Sequence, residues 1–447
     1  MGYYISSLKR LGKDDDGAIT PFILALFLIM VVGGGMAVDF MRQETMRADL
    51  QDALDRGVLS AASFRQGSDP AVVVADYLDT RAFSEYNVTL NVVSQLTLNS
   101  RTVTADASVE VGTFFLKLLG INSLTAVAHG VAEEAISNVE ISLVLDISGS
   151  MGWNGKLGKL KTAAYEFIDT ILTDTTRAKT TVSIVPYSAQ VNPGLALASK
   201  YNLNVWQNYD YCFVMNADDY TRTGISPALQ YEQAQHWGWT YGYYWCPNGG
   251  GRILPYSNNN TVLKNMISNL RAEGNTSSYL GMKWGVALLD PGTQPVVSGL
   301  VADGLVDATF TNRPAAYDDR ETLKVVVLMT DGVNTYDMHV KSSVYGDNNQ
   351  NNADHWDNNP IPYSLSYLDI YVGPTDGDTY LDNICTAAKE AGIIVYTIGF
   401  EVAGTDAEPK MRSCASTPGN FFLVEGVEIS DAFRVIAADI NKLKLIE

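Results

Sequence analysis

Cysteine is scarce in this chain of 447 residues: Cys212, Cys246, Cys385 and Cys414 are the whole complement. No two stand in a CxxC spacing, which excludes a zinc ribbon. Four His (His129, His236, His339 and His355) lie too far apart in sequence to suggest a ligand cluster, and each is read as an ordinary surface or core residue. Basic charge is also short. Lys and Arg number 31 against 50 Asp and Glu, a net charge of -19. Such a chain repels phosphate backbones, so nucleic acid is not expected as a partner. The GxSxG, HExxH and GxxxxGK[ST] signatures are missing, and the chain is not read as an enzyme.

Apolar runs long enough to cross a membrane are lacking too, with one exception. "ITPFILALFLIMVVGGGMAV", residues 19–38, carries no charge and has the length a helix needs to cross a bilayer. It is read as a transmembrane helix behind a cytoplasmic tail, residues 1–18. The rival reading is a cleaved signal peptide, with Gly35 and Ala37 as a small-x-small cleavage site. Against it stand Asp14, Asp15 and Asp16 where a basic region belongs, and a helical pattern that runs on past residue 38. Met46, Leu50, Leu54, Val58 and Ala61 or Ala62 recur at helical spacing, which predicts an amphipathic stalk helix over residues 39–66.

Lys9, Arg10 and Lys13 before the span balance Arg42, Arg47 and Arg56 after it, so the positive-inside rule does not orient it. The short leading tail and the even number of Cys favour an inside tail and an outside domain, where disulfides persist. Gly33 and Ala37 form a small-xxx-small pair that would let two spans pack closely, leaving a homo-oligomer open.

Residues 67–137 are rich in Val and Thr in alternating stretches such as "RTVTADASVEV", which predicts a small β-rich module. From residue 138 to 447 strand and helix patterns alternate. "VEISLVLDIS", "TTVSIVPYS", "KVVVLMT", "GIIVYTIGF" and "NFFLVE" read as strands, separated by helical patterns. That alternation predicts an α/β fold with a doubly wound, mainly parallel sheet, whose ligands bind at the carboxyl ends of the strands.

In "LVLDISGSM" the strand run ends on Asp146, and Ser148 and Ser150 follow at alternate positions. Asp331 in "LMTDGVNT" ends another strand, and Thr276 in "EGNTSSYLG" sits in a turn before a helix. Two carboxylates and three hydroxyls make an all-oxygen donor set, suited to a hard cation such as Mg²⁺, Mn²⁺ or Ca²⁺ and not to zinc. An open position on such a cation would accept a carboxylate from a protein partner.

"DISGS", a later Thr and a later "TDG" resemble the metal-ion-dependent adhesion site of von Willebrand factor A domains. The resemblance implies that Asp146, Ser148, Ser150, Thr276 and Asp331 hold the metal, the aspartates directly or through water. "DGAITPFILALFLIMVVGGGMAVDF" with "LQDALDRGVLSAA", and then "FFLKLLGINSLTAVA", resemble TadG-like proteins of Tad (tight adherence) Flp pilus assembly. Together the two resemblances cover most of the chain. They imply a single-pass protein of the bacterial inner membrane whose carboxy-terminal domain lies in the periplasm or at the cell surface. Its partners would be other pilus-assembly or surface components, and a structural subunit with a vestigial or merely stabilising metal site is the alternative.

Two insertions interrupt the expected A domain. Residues 201–256 are rich in Tyr and Trp, which suits either a binding surface or rings that pack on one another. Residues 336–380 are rich in Asn and Asp but lack EF-hand spacing, and are expected to form a solvated loop. Four Cys allow three pairings. Local pairing, Cys212 with Cys246 and Cys385 with Cys414, is the one expected, since the first two bracket the aromatic insertion.

Overall fold

The computed structural model describes residues 19–442, apart from 64–67, 80–82, 84–85, 97–99, 136–137, 241, 320 and 363. The tail expected over residues 1–18, with Lys9, Arg10 and Lys13, lies outside the described residues. The chain divides into two compact units, Met1–Ala135 and Ile136–Glu447.

In the first unit one helix, α1 (Ile19–Ala61), runs without a break from the uncharged segment into the amphipathic one. Its first half is exposed and apolar, long enough to cross a membrane. Its second half is not a free stalk. Leu50, Leu54, Val58 and Ala61 form the expected stripe, and it is buried under a three-stranded antiparallel sheet of β1 (Thr89–Leu96), β2 (Ser100–Gly112) and β3 (Ser123–Ala135). Val103, Ala105, Val109 and Ala126 supply the facing apolar row.

The segment expected to be wholly β-rich begins instead with α2 (Pro70–Leu78). Asp69 caps it by accepting a hydrogen bond from Ala71 N at 2.9 Å, Pro70 suits the first turn, and Val73, Val74 and Leu78 pack on α1. Propensity for strand in a run of valines is overridden here by the cap and by the helical spacing of the buried residues.

The second unit is built on a six-stranded sheet of β4 (Asn138–Asp146), β5 (Thr180–Tyr187), β6 (Leu254–Ser257), β7 (Thr322–Thr330), β8 (Ile394–Phe400) and β9 (Phe421–Val424). The strand order is β6-β5-β4-β7-β8-β9, with β6 antiparallel and the others parallel. Both faces are covered, which is why the strands read as continuous apolar runs. Leu143, Leu145, Val327 and Met329 face α3 (Lys156–Ile171), α4 (Asn260–Ser268) and α8 (Ile429–Lys442). Val144, Val326 and Leu328 face α5 (Ser278–Ala287), α6 (Pro374–Glu390) and α7 (Ala407–Cys414). The chain leaves β4 toward β5 on one side and returns to β7 on the other, so strand order reverses between β4 and β7.

The two insertions differ from their sequence reading. "LPYS" at 254–257 belongs to the main sheet, and α6 begins at Pro374, so each insertion ends earlier than expected. The Asn-rich stretch is no solvated loop: Asn349–Asn358 is a helix, opened by the Asn348 side chain, with Ala353 and Trp356 buried. Burial of two apolar positions outweighs the poor helix propensity of its asparagines. Trp237 and Trp245 stack with centroids 4.5 Å apart, and both pack into one cluster with Met338, Tyr345 and Trp356 of the second insertion. The rings therefore hold the insertions together. His236, buried, lies between Asp210 Oδ2 at 2.5 Å and Asp357 Oδ1 at 3.3 Å, joining the same two segments. Disulfides join Cys212 to Cys246 and Cys385 to Cys414, the local pairing.

Candidate metal centre

Because Met329 pairs with Leu145 in parallel register, Asp146 and Asp331 leave neighbouring strands at the point where strand order reverses. The Asp146 carboxylate is fixed on both oxygens. Ser148 N donates to Oδ1 at 2.7 Å, and Thr330 Oγ1 donates to Oδ2 at 2.8 Å with Tyr187 OH 3.3 Å from the same atom. Ser148 Oγ and Ser150 Oγ lie 3.1 Å apart, and Ser150 Oγ donates to Asp331 Oδ1 at 2.6 Å. Four of the five expected residues are therefore joined by a chain of direct hydrogen bonds.

Thr276 arrives by a different route. Its loop is pinned to the first by Glu273 N donating to Ile147 O at 2.8 Å and Gly149 N donating to Gly274 O at 2.9 Å. The loop after Asp331 is pinned to it in turn, with Thr335 N donating to Thr276 O at 2.9 Å and Thr276 N donating to Thr335 Oγ1 at 2.9 Å. All three loops meet at one end of the sheet, and Thr276 is almost fully buried beside the others.

Burial, and then the neighbouring Asp331 carboxylate, push the Asp146 carboxyl up to about 6. Two carboxylates held this close favour a positive charge between or beside them. One is already supplied by a residue that the sequence reading overlooked. Lys156, first residue of α3, places Nζ 3.0 Å from Asp331 Oδ2 and 3.4 Å from Glu401 Oε2, and Lys159 Nζ lies 3.7 Å from Glu401 Oε1. Burial works against the Lys156 ammonium, but the Asp331 and Glu401 carboxylates outweigh it and raise its pKa. Glu401 holds φ at 58°, a left-handed conformation unusual for a non-glycine residue.

The donor set fits a hard dication: the two carboxylates and the hydroxyls of Ser148 and Ser150 are all oxygen, with the Thr276 hydroxyl on the adjoining loop. Among the described residues no group of three or more His, Cys, Asp or Glu is placed to hold a metal ion. Of the residues missed, Thr330 was legible as the residue before Asp331, and Lys156 as the start of the helix after the loop. Nothing local to Glu401 pointed to the site.

A doubly wound sheet with a DxSxS loop at the switch point gives the second unit a von Willebrand factor A-like fold. Residues 17–63 match the protein family described as "Putative Flp pilus-assembly TadE/G-like". Among solved structures, the vWF domain of the type V pili tip protein Mfa5 from Porphyromonas gingivalis is 14% identical, with 70% of this chain and 98% of that one covered and a TM-score of 0.37. The pilus adhesin SpaC from Lactobacillus rhamnosus GG is also 14% identical at a TM-score of 0.37, covering 79% of this chain and 34% of that one. This chain thus spans about a third of the SpaC length. Proximal thread matrix protein 1 from the mussel byssus, solved with a zinc-occupied MIDAS motif, is 12% identical over 68% of this chain and 46% of its own, at a TM-score of 0.31. No curated protein matches the sequence.

Proposed function

We propose that this is a membrane-anchored, envelope-facing protein of Tad/Flp pilus assembly or surface attachment, which binds a protein partner through a divalent cation. The observation that carries the reading is the meeting of Asp146, Ser148, Ser150 and Asp331 at the switch point, with Ser150 Oγ 2.6 Å from Asp331. Asp146, Ser148, Ser150, Thr276 and Asp331 would hold Mg²⁺, Mn²⁺ or Ca²⁺. Bound there, the cation would supply an electrophilic position for a partner carboxylate. The chain's own part is to hold the donors: Thr330, Tyr187 and Ser148 N lock the Asp146 carboxylate in one orientation.

The compartment proposed is the bacterial inner membrane, crossed once by residues 19–38, with the A-like domain in the periplasm or exported to the surface. The two disulfides agree with an oxidising compartment. The partners proposed are other pilus or surface components. The experiment is co-purification from detergent-solubilised membranes in Mg²⁺, in Zn²⁺ and in chelator, with the full chain and with Asp146→Ala. Partners retained in Mg²⁺ and lost both in chelator and with Asp146→Ala are expected. Partners retained in chelator would move the protein to a second reading, a structural subunit, which the Lys156 ammonium on Asp331 favours because it already neutralises part of the site.

A further inference from the structure

The β2–β3 connection, "TFFLKLLGIN" at 113–122, grips α1 where the uncharged run ends. Asp39 on α1 accepts three backbone hydrogen bonds from it: Phe114 N at 2.9 Å, Phe115 N at 2.8 Å and Leu116 N at 2.8 Å. Arg42 donates to Gly112 O at 3.1 Å and lays its guanidinium 4.3 Å over the Phe114 ring. Phe115 occupies the space left by Gly35, where an added Cβ would fall 2.2 Å from the ring. Gly35 lies inside the run 19–38. The contacts advance in order along both elements: the far end of the sheet reaches the end of α1 through Arg101, which donates to Ser63 O at 2.8 Å. At 1.5 Å per helical residue, the connection is the part of the sheet nearest the apolar end of α1.

So anchored, the connection turns its large apolar side chains outward. Phe114 is 66% exposed, Leu118 75%, Leu119 58% and Ile121 44%, with Lys117 exposed among them. A soluble surface rarely gathers such side chains, and rigid anchorage by Asp39 leaves them no route inward. We infer that this connection dips into the surface of the bilayer that α1 spans, as a second, interfacial contact that fixes the height and tilt of the first unit. Lys117 suits that depth, since a lysine stem lies in apolar surroundings while its ammonium reaches the headgroups. The inference rests on α1 being a membrane span. The occupant is lipid, by continuity: Phe115 already touches the face of α1 that continues into the exposed apolar residues Phe27, Leu28 and Val31.

All four native Cys are in disulfides, so single nitroxide labels can be placed on the full chain reconstituted in phosphatidylcholine/phosphatidylglycerol nanodiscs. Leu118→Cys is the test position and Phe27→Cys reports the span. Val93→Cys, exposed on β1 opposite Thr104 and toward the far end of the sheet, reports water. Power saturation compares access of oxygen with access of a nickel chelate. The expected result is an oxygen-to-nickel ratio at Leu118 several-fold above that at Val93 and below that at Phe27. A Leu118 ratio equal to that of Val93, with Phe27 still in the bilayer, overturns the interfacial contact and leaves the span standing. A water-like ratio at Phe27 overturns the span and this inference together. Protection of Leu118 from both relaxants means a second protein copy covers the connection, and overturns the lipid assignment.

Discussion

Lys156 Nζ and Asp331 Oδ2 stand 3.0 Å apart, so the helix that follows the DxSxS loop carries an ammonium back onto the carboxylate of a strand 175 residues away. A cation held by Asp331 must share that carboxylate with it or displace it. At a site of few formal charges, one resident positive charge weakens the hold on a dication by Coulomb repulsion.

Lys156→Met should therefore tighten cation binding. A tenfold change corresponds to about 1.4 kcal/mol, a reasonable size for one partly buried charge. In the detergent-solubilised full chain, the Mg²⁺ concentration needed for a given rise in Tm over chelator should fall by about tenfold. At a hundred times Kd the linkage gain is about 2.7 kcal/mol, a measurable shift, and Asp146→Ala should abolish it. If none of wild type, Lys156→Met and Asp146→Ala changes its Tm between chelator and Mg²⁺, Mn²⁺ or Ca²⁺, the site takes up no dication and the structural-subunit reading stands.

A pH dependence follows from Glu273, almost fully buried in the loop that carries Thr276. It lies on the wall of a cleft of about 580 Å³ with Tyr244, Asn248, Asn269 and Arg271. Burial pushes its carboxyl from 4.5 up to about 7, against the opposing pull of Asn248 N–H and Arg271. The folded protein thus holds this proton more tightly than the unfolded chain. The destabilisation is absent below about pH 4.5, grows as pH rises to about 7, and is constant above. Glu273→Gln removes it. Denaturation curves should find the variant more stable than wild type at pH 8, by about 3 kcal/mol at most, the size of the shift from 4.5 to about 7. The gap should close near pH 5, and a gap independent of pH would show that ionising Glu273 carries no burial cost.

The aromatic insertion depends on Cys212–Cys246, which closes a loop with a sequence separation of 34. Replacing both by Ser should destabilise by about 3 to 4 kcal/mol in the chain-entropy model. The Asp146 cluster sits on the ends of the sheet, and the Mg²⁺ response of Tm should survive the change. Peptide mapping that finds free thiols in the protein isolated from its own membrane would remove both the bond and the oxidising compartment.

Much of the fold was legible because its signals are local. The apolar runs of β4, β5, β7 and β8, and the helical spacing of Leu50, Leu54 and Val58, each lie within one element and report its own buried face. Where a local signal was misread, burial had the stronger say. Ala353 and Trp356 made a helix of an Asn-rich stretch, and an Asp69 cap with Val74 on α1 made a helix where valines suggested strand.

By itself the sequence determined the apolar helix, the alternation of strand and helix, and the placing of Asp146, Ser148 and Ser150 on one turn, since each follows from spacing within a few residues. Only the tertiary structure decided that Lys156 bridges Asp331 and Glu401, that the stalk is the core helix of a sheet, and that Phe115 settles on Gly35. Those depend on strand order, on parallel register between β4 and β7, and on the close approach a missing Cβ permits. They join residues far apart in the chain, and no periodicity records such pairings.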